Sequence, residues 1–266
     1  MPLRARSPQS GIQSVETGGA LLTALVASGA PMMLKDVAAA AGMPAAKAHR
    51  YLVSFIRVGL VEQDGTAGRY ELGPLALQMG LAALGRLDAV RLSAPVLVSL
   101  ATEFGVTAAA AVWGNQGATI VRWEEPRNIV TVNVRVGAVM PLLRSATGRC
   151  FAAFLPSGWT DGIVADELRT AGRASRGLPR TRTAVRGLLR EVRETGLARV
   201  AGDLIPGIDA LSAPVFDHRG AAVLALTVLG YSGTFDSTSD GVVATRLKHQ
   251  AGTLSARLGF AVPAVP

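Results

Sequence analysis

Four polar side chains recur at spacings of three and four residues between Leu34 and Arg57, and three of them are cationic. They are Lys47, Arg50, Ser54 and Arg57. This spacing places the four side chains on one face of an α-helix. Guanidinium and ammonium groups bind phosphate oxygens, and they also donate hydrogen bonds to the edges of guanine bases. The stripe therefore predicts contact with a nucleic acid.

Two short helices joined by a turn position this stripe. Strong helix formers run from Asp36 to Ala41, Gly42 suits the end of that helix, and Pro44 suits the first turn of the next. The second helix has an apolar face opposite the stripe, formed by Ala48, Tyr51, Leu52, Phe55 and Ile56. The layout is typical of a helix-turn-helix, whose second helix enters the major groove of DNA. An ordinary surface helix with a solvated charged face has the same pattern.

The residues that follow predict a β-hairpin. Residues 60–63 and 69–72 are short strand-like runs, and the sequence DGTAG between them favours a turn. A hairpin directly after a recognition helix is the wing of a winged helix-turn-helix. A first helix over residues 15–27 completes the predicted domain. Its expected core residues are Val15, Leu21, Leu22, Leu25 and Val26.

Seven residues are the predicted DNA contacts. Lys47 and Arg50 are the expected major-groove readers, and Ala45 and Ala46 are close enough to the helix start to meet thymine methyl groups. Arg50 as a phosphate clamp remains the alternative. Ser54, Arg57 and Arg69 are assigned to phosphates, with a minor-groove contact as a second option for the arginine of the wing.

The charge distribution supports this prediction only weakly. The chain of 266 residues has a formal net charge of +8, but residues 1–80 hold seven cationic and five acidic side chains, an excess of two. The densest basic stretch is residues 169–199. There, Arg182, Arg186, Arg190 and Arg193 share one face of a predicted helix, which favours a solvated surface. DNA binding is therefore inferred from the motif rather than from total charge.

Composition also limits the cellular compartment. The sequence has no uninterrupted apolar run of about 18 residues, so we expect no transmembrane helix. A single cysteine excludes an internal disulfide and fits a reducing environment. We therefore predict a cytoplasmic protein without a membrane partner.

That cysteine, Cys150, is also the main candidate for catalysis. It follows Gly148-Arg149 at a predicted helix start, where the pKa of a thiol can be lowered. Its possible bases, His49, His218 and His249, are scattered, and no Cys–His pair has support from spacing. No cluster has metal-ligand spacing either. We predict no catalytic residue, metal or cofactor. Two rival hypotheses remain, namely a metabolite-modifying enzyme with an accessory helical domain and a DNA-binding scaffold without a ligand.

The second half of the chain predicts a mixed domain. A helical pattern over residues 74–105 suits a linker, and strand-like runs cover residues 106–113, 118–123 and 129–134. Helices are predicted at residues 145–154, 161–170, 183–195 and 238–258, and a hairpin joins residues 211–216 to 221–229. The predicted class is α+β. The predicted domains are residues 1–73, a linker helix over 74–91 and an effector domain over 92–266.

Several separated motifs resemble the IclR family of bacterial transcriptional regulators, over about residues 12–260. GIQSVE resembles the family's entry into its first helix, LKDVAAAAGMPAAKAHRYLVSF its helix-turn-helix, and GRYELGPLALQMG its wing and linker. SATGRCFAAFLP is similar to a family segment that usually contains a Gly-Lys pair, and in this chain Arg149 stands in place of that lysine. GLARVAGDLIPGIDALSAPVFDHRG is similar to the family's most diagnostic stretch, with Asp203 in place of glutamate. Thr17 stands where the family commonly has arginine.

This resemblance implies a winged helix-turn-helix, a linker helix and a GAF-like α/β effector-binding domain. It also implies the partners: double-stranded operator DNA, a small organic acid effector, a second copy of the chain in a homodimer or homotetramer, and RNA polymerase. None of these follows from composition.

The resemblance further implies an effector site. In relatives that bind small 2-oxo acids, main-chain groups aligned with Ala146 and Thr147 hold the ligand's carboxylate, here at a predicted helix N-terminus. Side chains that contact the ligand align with Val200, Ile208, Ala210, Thr227 and Leu229. Three of the four polar positions in this set have become apolar or small. We therefore predict a more hydrophobic effector, an aromatic or aryl-alkyl carboxylate. Trp113 and Trp123 either border this pocket or pack in the core.

Overall fold

The computed structural model describes residues 11–84, 88–125, 134–170 and 179–261. The chain forms two compact units, Met1–Leu87 and Asp88–Pro266. The range predicted as one linker, 74–91, contains a helix over Pro74–Leu84 and the start of another over Ala89–Phe104. The second helix has its own cap, because the Asp88 carboxylate accepts a hydrogen bond from the Arg91 N–H at 3.0 Å. The three-part division of the chain stays a prediction.

The N-terminal unit has the predicted helix, helix-turn-helix and wing. Its elements in chain order are α1 (Gln13–Ser28), α2 (Leu34–Ala40), α3 (Ala45–Arg57), β1 (Val61–Gln63), β2 (Tyr70–Leu72) and α4 (Pro74–Leu84). Its core combines the three helices with the hairpin. The buried apolar residues are Leu21, Leu25, Val37, Ala38, Ala48, Leu52, Val61 and Tyr70.

Two residues predicted for this core lie at the surface instead. Val15 is 67% exposed and Val26 is 64% exposed. Each residue of a helix turns by about 100°, so these two valines lie about a third of a turn away from the face that buries Leu21 and Leu25. In the recognition helix, Ile56 is likewise at the exposed edge of the predicted apolar face.

Local turn chemistry explains the motif's geometry. Gly42 adopts a φ of 64°, which favours glycine, and the Met43 N–H returns to the Ala38 carbonyl at 3.0 Å. In the wing, β1 and β2 pair antiparallel. The Asp64 carboxylate accepts hydrogen bonds from the Thr66 and Ala67 N–H groups and so closes the turn between them.

The C-terminal unit is built on a six-stranded antiparallel sheet in the order β5-β4-β3-β8-β7-β6. The strands are β3 (Thr107–Gly114), β4 (Gly117–Glu124), β5 (Val139–Met140), β6 (Ala198–Ala201), β7 (Ile208–Phe216) and β8 (Ala222–Tyr231). The helices are α5 (Ala89–Phe104), α6 (Ala146–Phe154), α7 (Ser157–Thr170), α8 (Arg182–Thr195) and α9 (Val242–Arg257).

Helices cover both faces of this sheet. Side chains alternate along each strand, so Ala108 and Ala110 face the layer of α5 and α9, whereas Ala109 and Ala111 face α6, α7 and α8. Both layers are buried cores. The α+β prediction is thereby confirmed.

Some predicted boundaries differ from the structure. The helix predicted to begin at residue 238 begins at Val242, because Asp236 accepts hydrogen bonds from the Thr238 N–H and hydroxyl and holds a turn there. The short strands β5 and β6 were not predicted. Of the strand-like run 129–134, residues 129–133 lie outside the described residues.

Candidate functional site

The predicted DNA-contacting residues belong to the recognition helix and the wing of the N-terminal unit. Six are on α3, and the seventh is at the turn end of the wing, where its carbonyl accepts a hydrogen bond from the Asp64 N–H. All seven are exposed: Ala45, Ala46, Lys47, Arg50, Ser54, Arg57 and Arg69. Among the described residues, none of the four cations in this set forms an ion pair. Their charge is therefore open to phosphates. That these residues contact DNA stays a prediction.

Packing fixes the orientation of the recognition helix. Ala48 and Leu52 are fully buried on its inner face, which turns the cationic stripe outward. The Tyr70 hydroxyl of β2 and the His49 Nδ1 atom of α3 lie 3.4 Å apart, a long hydrogen bond between helix and wing. No periodicity in the sequence indicated this contact.

A cavity in the C-terminal unit brings the predicted effector residues together. It lies between the sheet and the beginning of α6, and its volume is about 40 Å³. All seven predicted residues line it: Ala146, Thr147, Val200, Ile208, Ala210, Thr227 and Leu229. Their role in binding an effector stays a prediction.

Eight further residues line the cavity, and of these only Trp123 was a candidate from the sequence. They are Ala109, Ile120, Trp123, Val134, Met140, Ser145, Leu204 and Ile205. Trp123 borders the cavity and its indole N–H donates to Glu125 at 3.0 Å. Trp113 instead packs on Phe151, with ring centroids 5.9 Å apart. Side chains alternate between the two faces of a strand, and this alternation could have placed Ala109 and Ile120 on the face of the sheet that lines the cavity.

The N-terminus of α6 leaves two main-chain donors free beside the cavity. Ser145 caps the helix, because its hydroxyl accepts from the Gly148 N–H at 2.8 Å and donates to the Pro141 carbonyl at 2.7 Å. Within the described chain, the N–H groups of Ala146 and Thr147 have no acceptor. Two free N–H groups at the positive end of a helix dipole can accept a carboxylate as a partner.

Three buried hydroxyls form a chain at the sheet. The Thr147 and Thr227 Oγ1 atoms are 2.8 Å apart, and Thr227 donates to Ser212 Oγ at 2.9 Å. Thr147 and Thr227 line the cavity, whereas Ser212 lies behind them. The polar groups of this wall are therefore partnered among themselves.

Arg149 and Asp203, two departures from the family's usual residues, form one buried ion pair. The Arg149 Nη2 and Asp203 Oδ2 atoms are 2.6 Å apart, and the two side chains are 6% and 14% exposed. The guanidinium also donates to the carbonyls of Leu143 at 2.8 Å and Arg199 at 2.6 Å. The arginine, which is longer than the family's usual lysine, therefore pairs with an aspartate, which is shorter than the usual glutamate.

The structure gives Cys150 a packing role. The thiol is buried on α6, and burial raises its pKa to about 12. A thiol of this kind is a weak nucleophile at neutral pH. Within the described ranges, no group of three or more His, Cys, Asp and Glu side chains is placed to hold a metal ion. None of the described helices is long and apolar enough to cross a membrane.

Comparison with protein families covers both units. Residues 14–65 match the IclR helix-turn-helix domain, and residues 81–256 match the family described as bacterial transcriptional regulator IclR C-terminal. The chain belongs to the IclR family of bacterial transcriptional regulators. The resemblance inferred from the motifs and the GAF-like fold expectation are thereby confirmed. IclR-family proteins are regulators and not enzymes, which sets aside the enzyme hypothesis.

Relatives of this IclR-family regulator span nearly its full length. It is 32% identical to the glycerol operon regulatory protein of Streptomyces griseus, over 82% of this chain and 85% of that protein. The crystal structure of Pseudomonas aeruginosa HmgR is 40% identical, with a TM-score of 0.84, over 94% of this chain and 99% of that one. An IclR homolog from Microbacterium hydrocarbonoxydans, in complex with 4-hydroxybenzoate, shares the fold at 18% identity and a TM-score of 0.55, over 92% and 98% of the chains.

Proposed function

We propose that this regulator binds a palindromic operator of a catabolic operon and that a small hydrophobic carboxylate, of the aromatic or aryl-alkyl class, controls its activity. The observation that carries the proposal is the cavity, which joins two free N–H groups of a helix N-terminus to an apolar wall. An amphiphilic acid matches both parts. The same chain carries an exposed cationic recognition helix through which such a signal can act.

The carboxylate is assigned to the N–H groups of Ala146 and Thr147. The nearest guanidinium on α6, that of Arg149, already serves two carbonyls and Asp203, and it does not line the cavity. Main-chain donors therefore replace a charged side chain as the anion's partner. A helix N-terminus stabilises an anion by about 0.3–1 kcal/mol at exposed positions and by more when partly buried.

The rest of the cavity selects for an apolar frame. Ile120, Ile208 and Leu229 are among its aliphatic lining residues. Burial of an aromatic ring against such a wall gains about 25 cal/mol per Å². An additional oxo group without a partner would instead cost about 1–3 kcal/mol. This balance disfavours glyoxylate and pyruvate. The 4-hydroxybenzoate bound by the Microbacterium homolog is an acid of the proposed class.

Oligomerisation is part of the proposal, as a homodimer or homotetramer on the operator, with RNA polymerase as a further partner. The N-terminal unit carries few net charges, so one head alone offers limited electrostatic affinity. It also exposes large apolar side chains of α1 and α4, which suit contact with a second copy. They are Val15, Val26, Leu77, Met79 and Leu81.

Calorimetric titration of the purified protein tests the effector class. Benzoate, phenylacetate and 4-hydroxybenzoate are compared with glyoxylate and pyruvate under the same conditions. We expect at least one aromatic acid to bind more tightly than either oxo acid. Tighter binding of a two- or three-carbon oxo acid than of every aromatic acid would overturn the proposed class. If no acid binds, the ligand-free scaffold is favoured.

A further inference from the structure

The segment between β6 and β7 forms one wall of the cavity. Leu204 and Ile205 in this segment line the cavity and are half-buried. The segment has no helix or strand, and it is bounded by Gly202 and Gly207, which adopt φ angles of 71° and 80°. Such backbone angles favour glycine at both ends of the segment. We call residues 203–206 the β6–β7 loop.

The ion pair described above attaches this loop to the rest of the site. Arg149 reaches the loop through Asp203, and its other bonds join the turn before α6 and strand β6. Arg144 Nε adds a bond to the Asp203 carbonyl at 3.3 Å. One guanidinium therefore holds three segments that line the cavity. Arg149 itself does not line it.

The volume of the cavity requires a wall to move before an aromatic acid enters. The cavity measures about 40 Å³, whereas an engineered protein cavity that accepts benzene measures about 150 Å³. The sheet wall belongs to buried strands, and α6 is packed against the sheet through Phe151 and Cys150. Leu204 and Ile205 are held instead by the ion pair and by a hydrogen bond from the Ile208 N–H to the Ile205 carbonyl at 3.1 Å. The loop is thus a wall that belongs to neither a helix nor a strand.

We propose that the β6–β7 loop is a lid over the effector cavity and that the Arg149–Asp203 ion pair is its latch. This inference rests on the proposed function, because it takes an acid larger than the closed cavity as the ligand. Arg149 acts as a positioning residue. It places Leu204 and Ile205 over the bound acid, and the latch slows dissociation of that acid.

A double-mutant cycle tests the latch. Arg149→Lys replaces the planar guanidinium, which donates several hydrogen bonds in a fixed geometry, by a shorter side chain with an ammonium group. Asp203→Glu lengthens by one methylene the side chain whose carboxylate pairs with arginine. The dissociation rate constant is measured by stopped flow for the benzoate-class acid that binds the wild type most tightly. We expect each single variant to raise it about tenfold and the R149K/D203E double variant to lie within about threefold of wild type. Additive effects, or unchanged rates in the single variants, would overturn the latch.

A second variant leaves the ion pair intact, in case the first set folds poorly. Leu204→Ala shortens the lid's contact with the cavity. Leu189→Ala on α8 is the matched control, because Leu189 is also half-buried but lines neither this cavity nor the cleft beside Arg149 and Asp203. We expect faster dissociation of the acid for Leu204→Ala and an unchanged dissociation rate for the control variant. Equal rates for the two variants would overturn the lid. Failure of the wild type to bind any aromatic acid would instead overturn the proposed effector class, and the lid with it.

Discussion

Cys150 shows how one buried residue contributes to the pH dependence of stability. Burial raises the pKa of its thiol from 9.0 to about 12, and a hydrogen bond with Ser212 offsets part of that rise. The folded protein therefore retains the thiol proton at pH values where the unfolded chain has lost it. The contribution of this residue to stability is complete below pH 9 and is lost as the pH rises toward 12.

The variant Cys150→Ala is expected to remove the contribution of this thiol to the pH dependence of stability. Between pH 9 and 11, its free energy of unfolding should fall less steeply than that of the wild type, because no thiolate forms in the unfolded state. Urea unfolding followed by circular dichroism across this range measures the difference. Identical slopes for the two proteins would contradict the assignment.

On the recognition helix, Arg50 is expected to read a base. Arg50→Ala should cost about 1–3 kcal/mol of operator affinity and relax the preference at one base-pair position. Selection from random DNA, followed by anisotropy titration at several salt concentrations, measures both effects. Arg257→Ala is the control, since it removes one exposed cation from the end of α9. A uniform loss across all sequences, with a flatter salt dependence, would identify a phosphate clamp instead.

At the scale of elements, local signals in the sequence predicted most of the fold. Glycine and aspartate turns and regular hydrophobic spacing placed α3, the wing and the β7–β8 hairpin. The strands β5 and β6 were missed because β5 has two residues and β6 has four, which is too short for a periodic pattern. Val15 was wrongly assigned to the core. The spacing of apolar residues shows which of them share a face of α1, but it does not show which face the neighbouring helices cover.

The site was predictable only in part. Family resemblance brought seven cavity residues to one place, and the structure puts all seven there. The Arg149–Asp203 ion pair spans 54 positions in the sequence, and no local rule connects such residues. Leu204 and Ile205 were missed for a different reason. They lie in a loop without a periodic pattern, so the sequence gives no signal about which residues they contact.

The start of α6 makes a specific prediction about its glycine. A Cβ atom at Gly148 would overlap the Pro141 carbonyl oxygen and would lie 2.6 Å from the Leu142 Cα atom. Gly148→Ala should therefore destabilise the protein, by about 1–3 kcal/mol as for overpacking. Gly187→Ala on α8 is the matched control, since a Cβ there meets nothing within 4 Å, and it should stabilise by about 0.5–1 kcal/mol. Thermal and urea unfolding measure both, and equal effects would contradict the close approach.

At the scale of the whole molecule, the cationic stripe and the cavity lie in different units. The N-terminal unit carries the cationic stripe, whereas most of the net positive charge lies in the other unit, so total charge does not locate the DNA interface. The C-terminal unit contains the cavity. The central claim is that occupation of this cavity by an aromatic acid changes the affinity of the recognition helices for the operator.

The most direct test is an anisotropy titration of labelled operator DNA with and without the tightest-binding aromatic acid. The variant Ala210→Val fills the cavity from β7, and Ala201→Val places the same change on an exposed position of β6. We predict that the acid shifts operator affinity in the wild type and in Ala201→Val but has no effect in Ala210→Val. If the acid shifts the operator affinity of Ala210→Val as much as that of the wild type, the account is contradicted.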